Sequence, residues 1–126
     1  MLYNHQIIQL LKKSSHPISF DDIFNNFFYF NKSKFQLNKQ LNELIDDHKI
    51  FKTNNGEYFL PNQTKETINN LDVNPKGFGF VRIKELQDKS IMIFKTQFNG
   101  ALNGDLVRVV YFQDPFNKEQ YQGYVK

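Results

Sequence analysis

A chain of 126 residues has room for one ordinary domain or for two small ones, and at 40% hydrophobic residues with 14 Phe it is expected to fold rather than stay disordered. Its net charge of +3, with 13 acidic residues against 16 basic ones, permits a polyanionic partner but falls far short of a histone-like excess. No apolar run approaches the roughly 18 residues of a membrane span, and the absence of cysteine excludes both a disulfide scaffold and thiolate chemistry.

Asn4, His5, Gln6, Gln9, Lys12 and Lys13 interrupt the first apolar residues, so no cleavable signal pattern is present and a cytoplasmic location is expected. The sequons at Asn31 and Asn62 then count as chance matches. The 14 Lys against 2 Arg are what AT-rich codon usage produces, a bias of the genome rather than of function.

The first half has helical periodicity. Tyr3, Ile7, Leu10 and Leu11 recur at helix spacing, and Pro17 marks a stop and a turn. Ser19, followed by Asp22, caps a second helix whose apolar side is Phe20, Ile23, Phe24 and Phe27. Ser33 with Gln36 repeats the arrangement, and Leu37, Leu41, Leu44 and Ile45 trace the stripe of a third helix. Asn54-Asn55-Gly56 between two β-prone runs, Lys49 to Lys52 and Glu57 to Leu60, is a strong hairpin signal. Three helices and a hairpin predict a winged helix-turn-helix domain over residues 1–62.

Short β-rich runs follow, and a second domain is expected over residues 63–126. Strands are predicted near 66–73, 78–84, 89–94, 105–113 and 120–126, a number and spacing suited to a five-stranded OB-fold β-barrel. Asn74-Pro75-Lys76-Gly77 is the turn into the second strand, and residues 99–105 form the long connection before the fourth. The last strand runs straight into the chain end, so the barrel is expected to be truncated there and the chain to be a fragment. The fold class is α+β with two small domains.

Lys76-Gly77-Phe78-Gly79-Phe80-Val81 carries the functional signal. Period 2 places Phe78 and Phe80 on one face with Arg82, while Val81 and Ile83 point the other way as barrel core. Glycine weakens a strand unless a ligand or another backbone must approach closely, so Gly77 and Gly79 are expected to leave that face bare as a stacking shelf for unpaired bases. Ile91-Met92-Ile93-Phe94 is a second run able to pair beside the first. Lys76 at the rim, Lys84 and Lys95 are candidate phosphate contacts. The expected RNA-binding set is Lys76, Phe78, Phe80, Arg82, Met92, Phe94 and Lys95.

The two runs resemble the nucleic-acid motifs of cold-shock domains. The order of parts resembles the N-terminal region of bacterial ribonuclease R, in the RNase II/RNB exoribonuclease family, a resemblance that covers nearly the whole chain. It is carried by Gly77-Phe78-Gly79-Phe80-Val81, by the stretch from Asn99 to Val107, and less specifically by Ile18-Ser19 and by the stretch from Asn55 to Pro61. Met92 departs from the pattern, since cold-shock domains usually have an aromatic there, and the family's acidic residue near Ser90 is absent. Phe94 stands where single-domain cold-shock proteins have histidine and can supply stacking in place of Met92. The resemblance implies single-stranded RNA, and also structured RNA, as partner. It further implies a 3′-to-5′ exoribonuclease parent whose aspartates hold Mg²⁺ in a catalytic domain beyond Lys126.

No catalytic residue, cofactor or metal site is expected in this segment, which is read as a monomer without nuclease activity of its own. Asp21-Asp22 and Asp46-Asp47 lie at ends of different helices, and His5, His16 and His48 lack ligand spacing. On the third helix Lys34, Asn38, Lys39, Asn42 and Glu43 face away from the apolar stripe, and with Lys52 in the wing they leave Lys34, Lys39 and Lys52 as candidate nucleic-acid contacts. Two other readings stand beside the first. One is a free-standing nucleic-acid-binding protein or winged-helix transcriptional regulator; the other is a protein-interaction module built on Phe27, Phe28 and Phe30.

Overall fold

A computed structural model describes residues 2–86 and 89–126. The chain divides into two compact units, Met1–Leu60 and Pro61–Lys126.

The first unit is built on α1 (Asn4–Lys13), α2 (Phe20–Asn26) and α3 (Lys34–Asp46), followed by the short strands β1 (Phe51–Lys52) and β2 (Tyr58–Phe59). Each helix starts where a side chain takes over an orphan backbone donor. Gln6 reaches back to the Tyr3 amide at 2.8 Å, Ser19 Oγ accepts from the Asp22 amide at 3.1 Å, and Ser33 Oγ accepts from the Gln36 amide at 3.2 Å. The apolar stripes then meet: Ile7, Leu11, Ile23, Phe24, Leu37, Leu41 and Leu44 are buried in one cluster with Ile18, Ile50 and Tyr58. Fully burying an aliphatic side chain of this size contributes about 1.5–3 kcal/mol.

The end of α3 is a double carbonyl clasp. The His48 amide donates to the Ile45 carbonyl and the Lys49 amide to the Leu44 carbonyl, both at 2.9 Å, with His48 at φ 59° in the left-handed position where glycine is commonest. β1 and β2 pair antiparallel, Phe51 with Phe59 and Lys52 with Tyr58, around a loop in which Thr53 Oγ1 accepts from the Asn55 and Glu57 amides. Gly56 takes φ 82° at the turn. Ile18 adds a third rung through two 2.8 Å backbone bonds with Tyr58.

The second unit is a closed barrel of β3 (Lys65–Val73), β4 (Gly79–Arg82), β5 (Ser90–Ile93), β6 (Leu106–Gln113) and β7 (Tyr121–Val125), in the order β3-β4-β5-β7-β6 and back to β3. All neighbours are antiparallel except β5 and β7, which run parallel. This is an OB-fold barrel, and with the three helices it makes the protein α+β. All five strands lie within a residue or two of their predicted positions, β4 being the shortest relative to expectation, from Gly79 to Arg82.

Alternation fills the interior with Leu71, Val81, Ile83, Ile91, Ile93, Val107, Val109, Tyr111 and Val125. The connection from Asn99 to Asp105 is sewn onto β3. Asn103 Oδ1 accepts from the Val73 amide at 2.8 Å, the Gly104 amide donates to the Leu71 carbonyl at 2.7 Å, and the Leu71 amide donates to the Asp105 carbonyl at 2.8 Å.

Candidate nucleic-acid interface

The turn before β4 is organised by one side chain. Asn74 Oδ1 accepts from the amides of Lys76 and Phe78 at 3.0 and 2.9 Å, while the Asn74 amide donates to the Phe78 carbonyl and the Gly77 amide to the Asn74 carbonyl, both at 2.9 Å. Gly77 sits at φ 89°, which an L side chain adopts only with strain. Its glycine is therefore a requirement of the turn. Phe78 is delivered at the end of this loop, one residue before the strand.

Gly79 has a different reason. It faces the barrel interior, where a Cβ would lie 2.6 Å from the Phe98 ring and 2.9 Å from Leu71 Cδ1. The expectation that Gly77 and Gly79 bare a surface for a ligand is thus corrected: one glycine makes the turn, and the other vacates core space that Phe98 occupies. Phe98 is a residue the sequence reading did not connect with the shelf. A glycine in an otherwise good strand was the available signal for such a partner.

The outward side chains of β4 and β5 then form a continuous row. Phe80 lies directly across from Met92, and Arg82 across from Ser90. Residues paired this way bring their side chains into contact range. Phe78 meets Phe94, ring centroids 6.2 Å apart and tilted by 58°. Phe78, Phe80, Met92 and Phe94 are all half-buried, each leaving part of its surface open to solvent.

Around this apolar strip Lys76, Arg82, Lys84 and Lys95 are exposed. Lys76 stands in the Asn74 turn, and Lys95 opens a 3-10 turn over Lys95–Gln97 directly after Phe94. Of the seven barrel residues expected from sequence, Phe80, Arg82 and Met92 lie on the outward side of β4 and β5, Phe78 meets Phe94, and Lys76 and Lys95 are exposed in the flanking turns. Asp72 also belongs to this surface: it is exposed, pairs with Phe80 from the β3 side, and supplies an acidic boundary that the sequence reading did not consider.

The three candidate lysines of the first unit, Lys34, Lys39 and Lys52, are not gathered into one row as the barrel residues are. Lys34 Nζ lies 5.3 Å from the Phe24 ring centroid and 4.0 Å from Asp21 Oδ1, and Lys52 Nζ lies 5.5 Å above the Tyr58 ring. Lys39 is exposed on α3 with Asn38, Asn42 and Glu43. Among the described residues no group of three or more His, Cys, Asp or Glu side chains is placed to hold a metal ion, and no helix is long and apolar enough to cross a membrane.

Fold and surface together define a class: an OB barrel whose second and third strands present aromatic and thioether side chains edged by cations. On OB barrels this face, with its adjoining loops, is where oligonucleotides and oligosaccharides bind.

Comparison with known proteins narrows the class. Residues 69–125 match the family described as the ribonuclease B OB domain. Over 91 residues, 72% of this chain, the sequence is 30% identical to Ribonuclease R of Mycoplasmopsis pulmonis (strain UAB CTIP). That match spans 12% of the relative's length. Both findings support an OB region of the RNase II/RNB family in the second unit.

Proposed function

We propose that this chain is the RNA-binding N-terminal segment of a ribonuclease R-like 3′-to-5′ exoribonuclease. Its barrel holds single-stranded RNA and guides it to a catalytic domain absent from this chain. The observation that carries the reading is the single row of Phe78, Phe80, Met92 and Phe94 on β4 and β5, inside a region that matches the ribonuclease B OB domain.

The chemistry follows from that row. Unpaired bases have two open π-faces and stack on Phe78, Phe80 and Phe94, each stacked base contributing about 1–3 kcal/mol whatever its identity. Met92, flexible and polarisable, fills the gap where a fourth ring would sit. Lys76, Arg82 and Lys95 lie at the rim, where the phosphates of a stacked strand pass. A duplex hides its π-faces in its own stack, so the barrel prefers single strands. The barrel is read as cold-shock-like, and the helices with the β1-β2 hairpin as a winged helix-turn-helix that adds weak phosphate contacts through Lys34, Lys39 and Lys52. Mg²⁺ belongs to the catalytic domain of the parent enzyme, so the purified segment is expected to release no nucleotides.

Fluorescence anisotropy with a labelled single-stranded oligoribonucleotide tests the proposal. Binding is expected to weaken as salt rises, because phosphate neutralisation releases counterions. It is also expected to fall by at least about 25-fold in the double variant Phe78→Ala/Phe80→Ala if each ring holds a base at the lower bound of about 1 kcal/mol. Salt-insensitive binding, or an unchanged affinity in the double variant, overturns it.

A further inference from the structure

The first unit carries aromatic rings that its core does not use. Tyr29 is 90% exposed, Phe35 78% and Phe28 41%. Two of these rings, Phe28 and Tyr29, belong to a connected ladder with their neighbours on α2: Phe20 and Phe24 centroids lie 6.4 Å apart, Phe24 and Phe28 5.7 Å, and Phe28 and Tyr29 6.0 Å. Phe20, Phe24 and Phe28 follow helical i, i+4 spacing, which continues past the last residue of α2 and carries the row to the surface. Two ammonium groups lie on this ladder, Lys32 Nζ 5.6 Å from the Phe28 centroid and Lys34 Nζ 5.3 Å from that of Phe24.

We infer that the ladder ending at Tyr29 is a second binding surface for unpaired nucleic acid, distinct from the barrel row and independent of it. The charge pattern selects this occupant. Residues 23–42 contain six aromatic side chains and three lysines, with no Asp or Glu. An apolar protein surface would have to strip water from the Lys32 ammonium group without pairing it, which is unfavourable. A nucleic-acid strand satisfies both chemistries together, a base on the open Tyr29 ring and phosphates on the lysines. Asp21, 4.0 Å from Lys34, bounds the surface on the α2 side. Bulky exposed rings also fit poorly against the continuous backbone of a duplex, so a single strand is the form expected here.

Photocrosslinking the whole chain to a 4-thiouridine-containing single-stranded oligoribonucleotide, with the crosslinked peptides identified by mass spectrometry, tests the inference. Crosslinks are expected at Tyr29 as well as in the barrel, and those at Tyr29 are expected to persist in Phe78→Ala/Phe80→Ala, which separates this surface from the proposed barrel site. Tyr29→Ala alters a side chain outside the core, and at least about fivefold weaker binding is expected of it in the barrel-variant background. Lys32→Gln is expected to reduce the slope of log affinity against log salt by about 0.7, the value for one single-strand phosphate contact. Crosslinks confined to the barrel, an unchanged affinity in Tyr29→Ala, or self-association of the chain that Tyr29→Ala abolishes would each overturn it.

Discussion

Replacing Gly79 with alanine isolates the packing that holds the aromatic row in place. The added methyl would lie 2.6 Å and 2.9 Å from two atoms of the Phe98 ring and 2.9 Å from Leu71 Cδ1, all well inside van der Waals contact. Neither neighbour yields freely, since Leu71 is fully buried and Phe98 packs against the same core. Overpacking of this kind costs about 1–3 kcal/mol. Alanine recovers roughly 0.4–1 kcal/mol by restricting the unfolded chain, so a net loss of about 1–2 kcal/mol is expected. In a unit of this size that lowers the melting temperature by about 4–16 °C. Thermal melts followed by far-ultraviolet circular dichroism, with hydrogen exchange to assign the loss to β3, β4 and β5, provide the readout. The control is Gly77→Ala, where no atom lies within 4 Å and the whole cost comes from φ 89°. A Gly79→Ala protein as stable as the parent would refute the account of Gly79 as a core notch filled by Phe98.

Asn74→Ala removes the acceptor for the Lys76 and Phe78 amides. It is expected to cost about 1–2 kcal/mol in chemical denaturation, since two hydrogen bonds are lost at about 1 kcal/mol each with partial replacement by water, and to weaken single-stranded RNA binding several-fold in anisotropy by loosening Phe78. Ser33→Ala removes the cap of α3 and should cost about 1 kcal/mol, read by urea unfolding of the first unit. Burial lowers the His48 pKa below its usual 6.5, outweighing the opposite pull of Asp46 and Asp47. The unfolded chain therefore binds the proton first, and stability should be full above pH 6.5 and decline as pH falls below it; a melting temperature flat from pH 7 to pH 5, once the carboxylates are accounted for with His48→Gln, would contradict this. Burial raises the Tyr58 pKa above 10, so stability should fall as pH rises past 10, and Tyr58→Phe should flatten that alkaline limb in a pH series of thermal melts.

What could be read from the residues alone is what local physics controls. Ser19 and Ser33 announce helix starts because a hydroxyl three residues ahead of an amide caps it in any context, and Asn55-Gly56 announces a hairpin because Gly56 accepts φ 82° without strain. The same holds for the outward placement of Phe80 and Arg82, which period 2 dictates once Val81 is taken into the core. Other features depend on partners distant in sequence. That Phe94 meets Phe78, that Asp72 borders Phe80, and that β5 pairs in parallel with β7 all follow from barrel closure, which no local pattern encodes. Gly123 shows the limit plainly: a Cβ there would strike the Val110 carbonyl oxygen, so glycine is demanded by the close approach of β6 and β7. Gly79 looked like a bare site for a ligand because an empty side chain is the same letter whether RNA or Phe98 fills the space beside it. Sequence alone determined which residues face outward; only the closed barrel decided which of them stand together, because side-chain neighbours across strands are set by register and closure rather than by spacing along the chain.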